Sequence, residues 1–169
     1  KFMKDSKNLA LVPDLPPEIA LVENKNPFKV RHTKLQLVEL LMRPVSDVVK
    51  IQNVTKCNPE TSVHDAVSIL QGGNIGSVVI TDGLRVLGIF TERDHLLKCA
   101  LNPIDLKKEP ISSYMTSNPI CVKRATAIGE VLVSMCKGKF RHIIVTDSYQ
   151  NVESVLSMKD LVAYLVYLF

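Results

Sequence analysis

The sequence predicts a mixed α/β (α+β) protein made of two repeated β-α-β-β-α units, packed as a pseudo-two-fold pair behind an N-terminal extension. The main observation is an internal repeat, in which residues 62–82 align with 127–147 at a constant offset of 65. Each copy also shows helical apolar spacing followed by two short β-branched runs. One such unit is too small to bury its own apolar face, so we expect the copies to pack together.

The repeat divides the chain into three parts: an extension at 1–43, a first copy at 44–109 and a second copy at 110–169. Within the extension, the stretch "LVPDLPPEIALVENKNPF" at 11–28 contains four of the nine prolines, which predicts irregular, extended backbone. The stretch "HTKLQLVELLMR" at 32–43 predicts a helix capped by Thr33. The apolar stripe of this helix consists of Leu37, Leu40 and Leu41.

Each copy contains the same series of predicted elements. A short strand near 53–57 or 118–122 precedes an amphipathic helix. Gly73 and Gly138 stand just past these two helices, which is the usual place for a left-handed cap. The apolar runs "SVVI" and "HIIV" then predict a strand, and a second hairpin strand leads into the final helix of the copy.

The strand-to-helix junction of each copy carries a hydroxyl and, three residues later, a carboxylate. They are Thr91 and Asp94 in "GIFTERD", and Ser157 and Asp160 in "SVLSMKD". One interpretation is a capping box, in which the hydroxyl caps the helix and the acid complements the helix dipole. The other is that the hydroxyl and the carboxylate face a ligand together. Both interpretations use the same residues, so capping as the only role stays open for each copy.

Composition argues against several classes of function. The net charge is +4, of which residues 1–50 carry +3, and the chain has no Trp, so a nucleic-acid platform is disfavoured. The four cysteines form no C-x-x-C pair, which argues against a zinc site or a disulfide framework and fits a reducing, cytoplasmic compartment. No run of 18 apolar residues predicts a membrane span. No nucleophile–base pair or P-loop appears, so we expect no catalysis, no catalytic cofactor and no metal.

The order of elements in 44–169 resembles a tandem CBS-domain pair, also called a Bateman module. The resemblance rests on the two strand-end motifs, on "MTSNPI" at 115–120 and on "FRHIIVTD" at 140–147. It implies a regulatory sensor that binds an adenosine-type nucleotide (AMP, ADP, ATP or an S-adenosyl compound) in the cleft between the copies. It also implies a signal to a partner protein or an attached domain. The alternative is a ligand-free dimerisation or scaffolding module.

The resemblance also implies the contacts of the ligand. The two motif aspartates would take the ribose, because a carboxylate accepts two hydroxyl donors with charge assistance. The ribose and phosphate candidates are Thr91, Arg93, Asp94, Ser157, Lys159, Asp160, Arg141 and His142. The base candidates, for which core packing is the alternative, are Val54, Thr55, Thr116, Pro119 and Ile120.

The two predicted sites are chemically unequal. The basic pair Arg141-His142 has no counterpart in the first copy, where Gly76-Ser77 stands at the same place. Ser154 replaces Gly88 of the first motif, and its side chain is expected to narrow the second cleft. We therefore expect one site to bind a phosphorylated adenosine better than the other.

The final helix, "MKDLVAYLVYLF", is apolar nearly all round. A surface helix of a soluble protein keeps a polar face, so we expect this one to be covered. The resemblance implies a homodimer formed through the helices that follow the two aspartate motifs. The alternative is that residues 1–43 fold back over the helix within one chain.

Overall fold

A computed structural model describes residues 34–83, 85–100 and 102–168. The predicted cap Thr33 and the proline-rich stretch lie outside these residues. The described chain forms five helices and seven strands. The helices are α1 (Lys34–Met42), α2 (Val63–Gly73), α3 (Glu92–Asp94), α4 (Ile128–Gly138) and α5 (Met158–Leu168). The strands are β1 (Lys56–Cys57), β2 (Ser77–Thr81), β3 (Val86–Thr91), β4 (Thr116–Ser117), β5 (Cys121–Lys123), β6 (His142–Thr146) and β7 (Val152–Ser157).

The strands form two sheets, with the orders β1-β2-β3-β4 and β5-β6-β7. In the first sheet β1 runs parallel to β2, and the other two pairings are antiparallel. β4 completes this sheet although it belongs to the opening segment of the second copy. The predicted mixed α/β class, with a duplicated order of elements, is confirmed.

The duplication is visible in matching backbone hydrogen bonds. The amide of Ile111 donates to the Thr61 carbonyl at 2.8 Å, and the amide of Val45 donates to the Thr126 carbonyl at 2.9 Å. The two bonds occupy equivalent places in the repeat, and each joins the opening segment of one copy to the other copy. The opening segments are therefore exchanged between the copies.

The chain packs as two compact units, and each unit contains parts of both copies. Among the described residues, unit I comprises 34–51, 122–143 and 156–168. Unit II comprises the described residues between 52 and 121 together with 144–155. The Asp94 motif therefore lies in unit II and the Asp160 motif in unit I.

The core of unit II is built on the inner faces of α2, β2 and β3. The 3-10 turn Ile111–Ser113 belongs to the opening segment of the second copy and contributes Ile111 to this core. The buried members of this core are Cys57, Val63, Ala66, Leu70, Val78, Ile80, Phe90, Cys99 and Ile111. Burial raises the pKa of the Cys57 and Cys99 thiols, so both stay protonated and act as small apolar groups.

The predicted glycine caps are displaced by one residue. The left-handed residues are Asn74 and Lys139, with φ values of 49° and 55°, whereas Gly73 and Gly138 end the helices. Gly138 is needed for space instead, because a Cβ there would lie 2.5 Å from Cδ1 of Phe140. A glycine is needed at this position because the Phe140 side chain, two residues later, packs directly against the end of α4.

The final helix of the first copy is shorter than predicted. α3 has three residues and continues as a π-helical segment at His95–Cys99, in which the Ala100 amide donates to the His95 carbonyl. Pro103 follows and cannot continue a helix, because it has no amide hydrogen. In the second copy α5 runs for 11 residues without a break.

We predict that Gly138→Ala destabilises the protein by roughly 1–3 kcal/mol, because the added methyl group must push the Phe140 ring aside. Gly72→Ala is the matched control, since Gly72 lies in α2 and its added methyl group would meet no described side chain within 4 Å. The control should be neutral or stabilising by up to about 1 kcal/mol, because alanine favours the helix. Urea unfolding of both variants measures the difference, and equal midpoints would contradict the steric explanation.

Candidate functional site

Both strand-end motifs form a capping box. Oδ2 of Asp94 accepts the Thr91 amide at 3.0 Å and its hydroxyl at 2.7 Å, and the Asp94 amide donates back to that hydroxyl at 3.2 Å. Asp160 repeats the arrangement with the amide and hydroxyl of Ser157, at 2.8 and 2.6 Å. The capping interpretation is confirmed in both copies. It uses only Oδ2 of each carboxylate, so Oδ1 decides whether a ligand has an acceptor.

In the first copy Oδ1 is also taken by the protein. It accepts the Thr116 hydroxyl at 3.0 Å and pairs with the Lys98 ammonium at 2.7 Å. The same ammonium donates to the carbonyls of Tyr114 and Met115, at 2.9 and 3.2 Å. Asp94 is only 8% exposed. We call Asp94, Lys98 and Thr116 the closed cluster, because Lys98 and Thr116 occupy the Oδ1 atom that the capping box leaves over.

In the second copy Oδ1 of Asp160 is open. Within the described part of the chain it accepts no hydrogen bond and has no cation within ion-pair distance. The positions equivalent to Lys98 and Thr116, at an offset of 66, hold Tyr164 and Lys50. Asp160 is half-buried and Lys50 is exposed. The second carboxylate therefore retains an acceptor that the first has lost.

Tyr164 is a neutral, buried group where the first copy has a cation. It is 4% exposed, and its hydroxyl finds no hydrogen-bond partner among the described residues. Burial raises the pKa of Tyr164 above its ordinary value; nearby Asp47 adds to this effect and Arg43 opposes it. The Arg43 guanidinium lies 6.0 Å from the centre of the ring. At neutral pH the residue is thus uncharged and supplies no counter-ion to Asp160.

Two exposed basic residues, Arg141 and Lys159, lie near the Asp160 motif in the backbone fold of unit I. The Met158 amide donates to the Arg141 carbonyl at 2.8 Å, which places Arg141 at the start of α5, close in the chain fold to Ser157 and Lys159. Arg141 and Lys159 are both exposed, and His142 follows as the first residue of β6. The structure thus brings the second-copy candidates together in unit I.

The two units also differ in overall charge. The described residues of unit I hold nine Lys or Arg against four Asp or Glu, which gives +5. Those of unit II hold six against nine, which gives −3. The net charge of unit I is therefore the more favourable of the two for an anion.

All five base candidates fall in unit II, together with Thr91, Arg93 and Asp94. Val54 packs against the buried cluster of Val79, Ile89 and Ile144, and the Thr55 carbonyl accepts the Val79 amide. The other three base candidates follow the 3-10 turn Ile111–Ser113 in the chain. Thr116 belongs to the closed cluster, the Pro119 carbonyl accepts the Cys121 thiol, and Ile120 is 50% exposed.

Ser154 is fully buried, and its hydroxyl has no hydrogen-bond partner among the described residues. Gly88, its counterpart, lies so close to Met115 that a Cβ would come within 2.8 Å of Cγ. That glycine is therefore required by packing in unit II. The expected narrowing of the second cleft by Ser154 stays a prediction.

Lys98 and Tyr164 are not among the site residues that the sequence motifs predict. Each stands four residues after its motif aspartate, a spacing that places two side chains on the same helix face. The two positions also align in the repeat at the offset of 66. This combination of helical spacing and repeat alignment was the available signal.

Neither a metal site nor a membrane-spanning helix is found in the described part of the chain. Its His, Cys, Asp and Glu side chains form no group of three or more suited to hold a metal ion. None of its helices has the length and hydropathy required to cross a bilayer.

The chain matches known proteins in sequence and in fold. The family model described as CBS domain matches it twice, at residues 45–94 and 111–167. An Arabidopsis thaliana CBS domain-containing protein is 33% identical over 89 residues, which are 52% of this chain and 16% of that protein. The chain thus spans about a sixth of the length of that relative.

Two solved structures share the fold. A CBS-domain containing protein from Agrobacterium tumefaciens is 29% identical with a TM-score of 0.66, covering 72% of this chain and 98% of that one. A CBS domain protein from Pyrobaculum aerophilum, complexed with AMP, is 23% identical with a TM-score of 0.65. That match covers 74% of this chain and 97% of the other.

We predict that Asp94→Ala and Asp160→Ala destabilise the ligand-free protein unequally. Loss of Asp160 removes the acceptor of the Ser157 amide and hydroxyl, which is one half of the capping box and costs about 1 kcal/mol. Loss of Asp94 also removes the carboxylate partner of the Lys98 ammonium and the acceptor of the Thr116 hydroxyl, so we expect roughly 2–3 kcal/mol. Urea unfolding without nucleotide provides both values. A cost for Asp160→Ala equal to that for Asp94→Ala would contradict the assignment of the closed cluster.

Proposed function

The chain belongs to the CBS-domain family, with two domains in tandem, and on that basis we propose that it is a regulatory module that binds an adenosine-type nucleotide. Occupancy is passed to a partner protein or an attached domain. The observation that carries this proposal is the open oxygen of Asp160 in a positively charged unit. The module is non-catalytic, and the nucleotide is a regulatory ligand rather than a cofactor.

Asp160 binds the ribose in this proposal. Its Oδ1 retains the lone pairs that two ribose hydroxyls require, while Oδ2 holds the capping box in place. The helix cap orients the carboxylate before the ligand arrives, so little side-chain entropy is lost on binding. Asp94 offers no equivalent oxygen, which supports one nucleotide per chain.

Arg141 and Lys159 bind the phosphate, together with His142. Arg141 and Lys159 lie at the start of α5 in the backbone fold, and both side chains are exposed, so they can reach a phosphate there. The charge of unit I favours AMP, ADP or ATP over S-adenosyl compounds, because the sulfonium group of S-adenosylmethionine is itself a cation. The AMP complex of the Pyrobaculum protein supports the proposal, since the same fold accommodates that nucleotide there.

The apolar surface of α5 supports the formation of a dimer. Leu161 and Tyr164 point into unit I and are buried, whereas Val162, Val166 and Tyr167 are 50%, 70% and 50% exposed. Several exposed apolar side chains on one helix are typical of a surface that binds another protein chain. We infer a homodimer formed through α5, and the ligand-free dimerisation module remains the alternative function.

We predict that AMP binds with one mole per chain and that Asp160→Ala abolishes binding. Isothermal titration calorimetry measures both, and AMP at a hundred times its dissociation constant should stabilise the protein by about 2.7 kcal/mol. Arg141→Ala should weaken AMP more than adenosine, because only AMP carries the phosphate.

Two equivalent AMP sites, or undiminished affinity in folded Asp160→Ala, would contradict this site. ADP, ATP and S-adenosylmethionine complete the ligand set for thermal-shift measurements. If none of them stabilises the protein, the ligand-free dimerisation module becomes the better explanation.

We predict a dimer of about 38 kDa in light scattering, twice the chain mass of 18.8 kDa. Val166→Glu should shift the mass to that of one chain, since it places a charge in the apolar contact. Tyr149→Glu is the control, because this 85% exposed residue lies in the turn between β6 and β7. A wild-type mass of one chain at tens of micromolar would exclude the homodimer and favour a contact within the chain.

A further inference from the structure

The two copies differ at the fourth residue after the motif aspartate. Lys98 in the first copy makes three contacts through its ammonium group, to Oδ1 of Asp94 and to two main-chain carbonyls. The Tyr164 hydroxyl in the second copy makes no hydrogen bond to Asp160 or to any other described residue. The aspartates themselves are capped in the same way, so this residue accounts for the main difference at Oδ1.

We propose that this position selects which copy binds the nucleotide. The inference rests on the proposed function. Lys98 acts as an internal ligand that closes the Asp94 carboxylate, and Tyr164 leaves the Asp160 carboxylate open. Lys98 and Tyr164 are therefore specificity-determining residues for the choice of site.

The contacts of Lys98 explain why a ribose does not displace it. A ribose hydroxyl that reaches Oδ1 of Asp94 must separate the ammonium from the carboxylate at 2.7 Å and must also displace the Thr116 hydroxyl. The ammonium is anchored independently by the carbonyls of Tyr114 and Met115. The Asp94 side chain is 11% exposed and that of Lys98 is 40% exposed, so water reaches the ion pair mainly from the lysine side.

Tyr164 has the opposite effect to Lys98, because it leaves Oδ1 of Asp160 without an internal cation among the described residues. Tyr164 brings no charge to the face of α5 that carries Asp160. Lys50 stands where the first copy has Thr116, but it is exposed and forms no ion pair with Asp160 within the described residues. No internal cation among those residues therefore competes with the ligand at this carboxylate.

Reciprocal variants test the proposal. Lys98→Met keeps an unbranched side chain and removes the charge, so AMP or adenosine should now bind at two moles per chain. The double variant Lys98→Met/Asp94→Ala should return to one mole. Lys107→Met is the matched control, because it removes an exposed lysine of the same unit and should stay at one mole. Tyr164→Lys should weaken AMP binding at least tenfold, by closing Oδ1 of Asp160.

Calorimetry with AMP and with adenosine, on variants shown to be folded by thermal unfolding, separates the outcomes. A single site in Lys98→Met at millimolar adenosine would overturn the inference while leaving the proposed function intact. If the wild type binds nothing and Lys98→Met binds one mole at Asp94, the closure of Asp94 by Lys98 holds, whereas the role of Tyr164 and the proposed Asp160 site both fail. If Tyr164→Lys does not fold, the Lys98→Met titration decides alone.

Discussion

The structure depends on a carboxylate that accepts the amide and hydroxyl of the residue ending a strand. This bond set occurs twice, at Asp94 with Thr91 and at Asp160 with Ser157. It turns the chain from the hairpin into the following helix, and it satisfies amide groups that the helix start would leave unpaired. Because the cap uses one oxygen only, it holds a second, ready-made acceptor at a defined place.

Duplication supplies two such acceptors, and the neighbouring side chains of the two acceptors differ. In unit II a lysine and a threonine complete the coordination of the carboxylate, so the group contributes to stability. In unit I the carboxylate stays open within a surplus of positive charge. A buried carboxylate is stable only when it is satisfied, whereas a half-buried one tolerates an open oxygen because water reaches it. The two copies thus share a capping framework and divide into one closed carboxylate and, among the described residues, one open carboxylate.

The exchange of opening segments makes this division possible. Thr116 reaches Asp94 because β4, at the start of the second copy, pairs with β3 of the first sheet. The carbonyls that anchor Lys98 belong to the same segment. A change in that segment therefore acts on the motif of the other copy, which couples the two halves of the sequence through main-chain contacts.

The sequence by itself determined the repeat, the order of helices and strands, and the pairing of hydroxyl with carboxylate. These features are local, since Thr91 and Asp94 are three residues apart and helical or strand periodicity is read within one segment. It did not determine where the helix of the first copy ends, because the π-helical segment His95–Cys99 was not predicted. It also did not determine that Gly138 is needed because the Phe140 ring packs against it. Only the tertiary structure decided which carboxylate is open. Thr116 is 22 residues from Asp94, and Tyr114 and Met115 are 16 and 17 residues from Lys98, so these contacts follow from the packing of β4 against β3 and from no local pattern.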